Sequence, residues 1–256
     1  MNIKKQIPNI ITLGNLFCGV VATYCAIKSQ IQEAALLICL GIVFDFFDGL
    51  TARLLKVPSD IGKELDSLAD LVTSGVAPAF IAFSTLQNGL DTTGDTSALT
   101  HCFSYVVLLM PLFAALRLAK FNLDDEQHHS FRGLPTPANA LVWVGVALAL
   151  PNLQDAAFNE IWRMWWMPVI VTLSLALDVL MVSRLPMFSL KFNFKDMSWP
   201  TNKTRYIFLI GCVAIALAMS LTNSMFIRPI FLSISLSIIW YIALSIITRK
   251  EVGSQK

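Results

Sequence analysis

Apolar residues along the chain fall into eight long runs, and polar residues gather between them. The runs cover roughly 8–27, 33–55, 66–87, 101–121, 137–151, 165–183, 205–222 and 228–247. At 1.5 Å rise per residue, about 20 mostly apolar residues cross a bilayer as a helix. The pattern therefore predicts an all-α, polytopic membrane bundle of about eight transmembrane helices, the fifth of them short. Most connections are brief. The two longer ones run from Asn122 to Thr136 and from Arg184 to Lys203, the second holding the alternating stretch Phe188-Ser-Leu-Lys-Phe-Asn-Phe-Lys195. There is no internal repeat, low-complexity tract or room for a soluble domain, so residues 1–256 are expected to form one membrane domain.

Composition agrees. The 256 residues are 55% hydrophobic and 14% charged, with a mean hydropathy of +0.65. A soluble protein carries about 25% charged residues, so an ordinary cytosolic enzyme, a disordered chain and a nucleic-acid-binding module are excluded. Net charge is only +2; its placement says more. With the N-terminus inside, 16 of the 19 Lys and Arg flank inner helix ends, leaving Lys28, Arg163 and Arg228 outside, as the positive-inside rule requires. Trp162, Trp165 and Trp166 cluster at an outer boundary, where interfacial anchors belong. Lys4 and Lys5 precede an apolar run of about 20 residues without a small-x-small cleavage site, which reads as a retained first helix rather than a secretory signal. The five cysteines, mostly inside apolar runs and without ligand spacing, read as small buried residues.

Against this background four carboxylates stand out. Asp45 and Asp48 lie within the second run, and Asp66 and Asp70 open the third. An Asp near the centre of a spanning helix costs about 2.5–3.5 kcal/mol on insertion scales, so something must compensate them. Spacings of three and four put each pair on one helix face, and the turn cluster Lys56-Val-Pro-Ser-Asp-Ile-Gly62 permits an antiparallel return. Four acids then converge in a shallow cavity open to the inner side. Hard oxygen donors without His or Cys suit Mg²⁺ or Mn²⁺, and two such ions would neutralise the cluster and still attract a diphosphate. Two other readings stay open on spacing alone: acids paired with Arg53, Lys56 and Lys63, or the ion pathway of a cation- or proton-coupled transporter. Gly49 and Ala52 share the acidic stripe, leaving space for a planar ligand or for close helix packing.

Written out, Asp45-x2-Asp48-Gly49-x2-Ala52-Arg53-x8-Gly62-x3-Asp66-x3-Asp70 resembles the complete signature of the CDP-alcohol phosphatidyltransferase family. The resemblance implies a homodimeric membrane enzyme that moves a phosphatidyl or related group from a CDP-linked lipid to an alcohol and releases CMP. It implies that Asp45, Asp48, Asp66 and Asp70 hold two divalent ions, with Asp70 also the general base. Gly49, Ala52 and Gly62 would line the cytidine pocket, Asp48 would touch both metal and nucleotide, and Arg53 would meet phosphate or ribose. Three further stretches, Pro8-Asn9-x2-Thr12-x2-Asn15-x3-Gly19, Arg117-Leu-Ala-Lys-Phe-Asn122 and Phe131-Arg-Gly-Leu-Pro-Thr-Pro-Ala138, resemble the branch whose acceptor is L-serine and whose donor is CDP-diacylglycerol. The implied location is the bacterial inner membrane, with the site facing the cytoplasm; another acceptor, such as glycerol 3-phosphate or an inositol phosphate, is the nearest alternative.

A serine acceptor brings a carboxylate that needs a cation. Arg117, Lys120 and Arg132 all fall on the inner side, where they serve either the substrate or positive-inside anchoring. Asn9 and Thr12 are expected beside the nucleotide diphosphate, although Pro8-Asn9 is equally an ordinary helix start. His128 and His129 read as a solvated turn, and His101 as a solitary outer residue. Asp178 is expected to pair with Arg184 or a neighbouring helix, and the stretch 188–195 to pack at the interface.

Overall fold

A computed structural model describes residues 3–57, 59–93, 97–123, 131–149, 160–188, 199–222 and 229–248. It is helical apart from one two-residue strand pair. Helices α1 (Ile3–Ile27) and α2 (Ile31–Leu55) form a hairpin, closed by Ser29 in the left-handed conformation and by Gln30 N–H donating to the Cys25 carbonyl at 2.9 Å. Small side chains, Ala22, Ala26, Ala34 and Ala35, are fully buried along it. The chain then returns as α3 (Asp60–Asp70), a π-helical turn (Leu71–Val76) and α4 (Ala77–Thr93). Helix α5 (Ala98–Ser104), a 3₁₀ turn (Tyr105–Leu109) and α6 (Met110–Leu123) follow as another continuous rod. Helix α7 covers Thr136–Ala149, α8 Glu160–Val182, α9 Trp199–Ser220 and α10 Pro229–Ile247.

Six described stretches are long and apolar enough to cross a membrane: 6–27, 31–55, 60–91, 98–123, 202–220 and 230–247. The fifth and sixth predicted spans are the shorter apolar helices Thr136–Ala149 and Trp166–Val182. At 14 residues α7 measures about 21 Å, short of a 30 Å hydrocarbon core. It is apolar all round, with Val142, Trp143, Val144 and Ala147 buried, as befits a central helix. Helix α10 closes on it where a Cβ on Gly145 would lie 2.8 Å from the Ser235 nitrogen, and the Ser235 hydroxyl donates to the Val142 carbonyl at 2.7 Å.

Several local expectations change. The third helix begins at Asp60, not Asp66, because Ser59 caps it by accepting the Gly62 N–H at 3.0 Å. Gly62 is thus helical rather than part of the turn, and α2 ends with Lys56 as its C-cap, left-handed at φ 53°. Helix α1 starts before Pro8, which lies inside it. Trp166 is no free interfacial anchor: its ring fills the space in front of Gly89 on α4; the side chains of Trp162, Trp165 and Arg163 lie outside the described residues. His101 is not solitary, since Nδ1 sits 3.1 Å from Gln87 Oε1. Asp178 is fully buried with neither carboxylate oxygen hydrogen-bonded, while Arg184 is exposed; helix α8 ends at Val182, so the expected pair does not form. Phe188 is buried against Phe208 and Tyr241. Residues 189–195, His128, His129 and Arg228 fall outside the described set. All five cysteines are free.

A close helix approach surrounds the π turn. A Cβ on Gly19 would lie 2.8 Å from the Cα of Thr73, which is backbone and cannot step aside. A Cβ on Gly14 would meet only Phe44, at 3.6 Å. Overpacking costs about 1–3 kcal/mol, so Gly19→Ala should lower the unfolding midpoint in detergent by several degrees, and Gly14→Ala should leave it within about a degree. Equal midpoints would mean that the two helices do not meet at Gly19.

Candidate active site

The acidic cluster is built by α2, α3 and α1 together. Asp45, Asp48 and Asp66 each offer a carboxylate oxygen, and the three atoms lie within 4.8 Å of one another. Asp70 stands outside that close group. One helical turn separates it from Asp66, about 6 Å along the axis, yet its charge is felt by Asp45 and Asp66, and it faces Arg117. The π turn begins at the next residue, Leu71; such turns shift side-chain facing and collect at functional sites.

Helix α1 lines the other side. The Thr12 hydroxyl donates to Asp48 Oδ2 at 2.5 Å, and both residues are buried. One turn earlier, Asn9 approaches α3, where a Cβ on Gly62 would fall 3.2 Å from Asn9 Oδ1. One turn later, Asn15 reaches Asp70.

Gly49 and Gly41 separate the two uses of a small residue. A Cβ on Gly41 would lie 2.9 Å from Asn15 Oδ1, so that glycine serves packing. In front of Gly49 there is open space, the nearest atom being an Arg53 Nη at 4.0 Å. Helix contact therefore does not explain Gly49. Ala52 is half-buried on the next turn, and exposed Arg53 folds back so that Nε donates to the Gly49 carbonyl at 2.9 Å. Pairing with nearby lysines does not explain the acids either. Lys63 Nζ donates to the Asn122 carbonyl at 3.4 Å, Lys56 is exposed, and among the described residues neither they nor Arg53 meets an acid.

Of the three expected cations, only Arg117 is shown at the cluster. It is partly buried, faces Asp70 and Tyr241, and donates from Nη1 to Thr136 Oγ1 at 2.7 Å. Lys120 is exposed near the end of α6. Arg132 contributes backbone to β1 (Phe131–Arg132), which pairs antiparallel with β2 (Pro186–Met187); its side chain lies outside the described residues. Sequence reasoning missed Thr136 and Tyr241. Gly133 (φ +80°) donates to the Leu185 carbonyl and Leu134 to that of Leu180, so the segment 131–135 is stitched to the end of α8 and presents Thr136 to Arg117. Thr136 lies within the family-like stretch Phe131–Ala138, and Tyr241 offers no more signal than a lone phenol in an apolar run.

Residues 5–176 match the CDP-alcohol phosphatidyltransferase family. The chain belongs to that family of transferases. Among curated relatives, it is similar to a CDP-diacylglycerol–serine O-phosphatidyltransferase of Bacillus subtilis, 42% identical over 133 residues, 52% of this chain and 70% of that protein. A protein of the same name from Helicobacter pylori is 32% identical over 196 residues, 75% and 74% of the two chains. A third, from Mycobacterium leprae, is 36% identical over 190 residues, 71% of this chain but only 57% of that one.

Three oxygens this close, with no cation among the described side chains to neutralise them, suit a hard divalent ion. At a hundredfold excess over Kd, a bound ion stabilises the folded state by about 2.7 kcal/mol. Titrating Mg²⁺ or Mn²⁺ should therefore raise the wild-type unfolding midpoint, while Asp66→Asn should lose most of that rise and match or exceed wild type in EDTA. A flat wild-type response would show that the acids bind no such ion.

Proposed function

We propose that the protein transfers the phosphatidyl group of CDP-diacylglycerol to L-serine, giving phosphatidylserine and CMP. The observation that carries this reading is the Asp45–Asp48–Asp66 cluster beside the open face of Gly49, with Arg117 held next to Asp70. Family membership supports the donor chemistry, and the names of the relatives support serine as acceptor.

Asp45, Asp48 and Asp66, with Asp70 at the deep edge, would hold two divalent ions, Mg²⁺ or Mn²⁺. When bound, the ions supply charge neutralisation and Lewis-acid polarisation for the diphosphate. The chain's own groups do the rest. Gly49 and Ala52 leave room for the nucleotide, while Gly62, expected to line the same pocket, has its open side filled by Ser59 Oγ and Asn9 Oδ1 and so serves the contact of α3 with α1. Arg53 stands over Gly49 to meet phosphate or ribose, and Asn9 and Thr12 close the pocket from α1. Thr12 also fixes the orientation of Asp48. Asp70 accepts the proton of the serine hydroxyl as its oxygen attacks the β-phosphorus of the donor, and the phosphoanhydride bond to CMP breaks. Arg117, oriented by Thr136, takes the serine carboxylate; Lys120 and Arg132 are the further candidates for holding the serine carboxylate or the transferred phosphate. The apolar faces of the spanning helices keep the acyl chains in lipid.

In this reading the site faces the cytoplasm of a bacterial inner membrane, an orientation that the distribution of basic residues supports. Residues 1–256 are read as one domain, supported by the packing of α10 on α7, and a homodimer is the expected assembly. A coupled transporter would use the acids but leaves the space before Gly49 unexplained and predicts no CMP release.

Purified protein supplied with CDP-diacylglycerol, Mn²⁺ and labelled serine should form labelled lipid and CMP in equal amounts. Asp70→Asn should lower turnover by about 100-fold or more while still binding CMP. Arg117→Ala should raise the serine KM by about tenfold or more. Transfer to glycerol 3-phosphate in place of serine, or unchanged turnover in Asp70→Asn, would overturn the acceptor and the base respectively.

A further inference from the structure

Asn15 has no role in the reading above, yet its surroundings are unusual. It is fully buried, and neither its Oδ1 nor its Nδ2 has a hydrogen-bond partner. Leaving a buried polar group unpaired costs about 1–3 kcal/mol, and an amide in a spanning helix has no water to turn to. Nor can it turn away. Gly41 on α2 allows the amide to sit where a Cβ would be 2.9 Å from Oδ1. On the other side the Thr73 hydroxyl, in the π turn, donates to the Asn15 carbonyl at 3.0 Å. The amide is thus wedged between two elements, within reach of the Asp70 carboxylate.

Its position on α1 completes a series. Asn9, Thr12 and Asn15 recur every three residues on one side of the helix, and they meet Gly62, Asp48 and Asp70 in turn. Thr12 already has its hydrogen bond. Asn15 has the matching donor, Nδ2, and Asp70 is the acid beside it, one turn before the Thr73 hydroxyl that holds the Asn15 carbonyl.

We propose that Asn15 is a positioning residue for Asp70: its Nδ2 donates to one carboxylate oxygen when the site fills, turning the other toward the acceptor hydroxyl. The inference rests on the reading of Asp70 as the base. A hydrogen bond from a neutral amide leaves the carboxylate its charge while fixing its rotation, and small errors in such orientation are costly to rate. A group acting this way affects turnover and leaves ground-state binding nearly untouched.

The test compares Asn15→Leu, close in size, and Asn15→Ala, which must fit, with wild type in the serine-dependent CMP-release assay. Both should lose turnover about 10- to 100-fold, with KM for CDP-diacylglycerol and for serine, and the Kd for CMP, within about twofold, and with little change in unfolding midpoint. Turnover within about twofold of wild type in either variant would overturn the proposal. So would a raised serine KM with turnover kept, which would make Asn15 a substrate contact, or a loss that follows a fall in the midpoint of both variants, which would make it structural. If Asp70→Asn itself keeps wild-type turnover, the assignment of the base fails first, and that result is separately visible.

Discussion

The structure depends on holding like charges together inside a membrane protein. Three carboxylates that would repel in any flexible arrangement are kept within 4.8 Å by two helices, with a fourth one turn deeper. Side chains alone do not enforce this. The constraint is the close approach of α1, α2 and the π turn, where Gly19 and Gly41 let Thr73 and Asn15 pack against bare backbone. Packing by small residues is how helices associate when lipid offers no hydrophobic drive, and here it fixes the separation of the acids as well.

Two supports then act on the cluster from opposite sides. Helix α1 offers a polar edge that meets α3 and the acids, with Thr12 donating to Asp48. Across the site, Arg117 balances Asp70 and is steered by Thr136, whose place is set by the stitching of residues 131–135 to α8. Charge balance is therefore uneven across the site. Asp70 faces a built-in cation, whereas Asp45, Asp48 and Asp66 are left with none among the described side chains. That asymmetry suits the proposed double role of Asp70, which would move a proton at the edge of the cluster that holds the ions.

Much of this was legible in the chain. The apolar runs locate the helices because hydrocarbon thickness sets their length, and the shortness of the fifth run already marked α7. The acid spacings place their side chains on facing stripes because helical periodicity is rigid. Other features leave no such trace. Gly62 looks like part of a turn, and only the Ser59 cap shows that α3 has begun. The π turn at Leu71–Val76 depends on hydrogen-bond register, which Thr73-Ser-Gly75 does not announce. Asp178 and Arg184 have pairing distance in sequence, but the helix ends between them and the Arg is exposed. Tyr241 joins Arg117 from more than 100 residues away, a tertiary contact that no local pattern encodes.

The central claim is that the clustered acids share divalent ions. Electron paramagnetic resonance of the purified protein titrated with Mn²⁺ in the presence of CMP tests it directly. The account predicts tight Mn²⁺ binding with the broadened spectrum of two neighbouring, magnetically coupled ions, reduced to a single-ion spectrum or lost in Asp45→Asn. A spectrum of free Mn²⁺ only, or bound Mn²⁺ indifferent to Asp45→Asn, would contradict it.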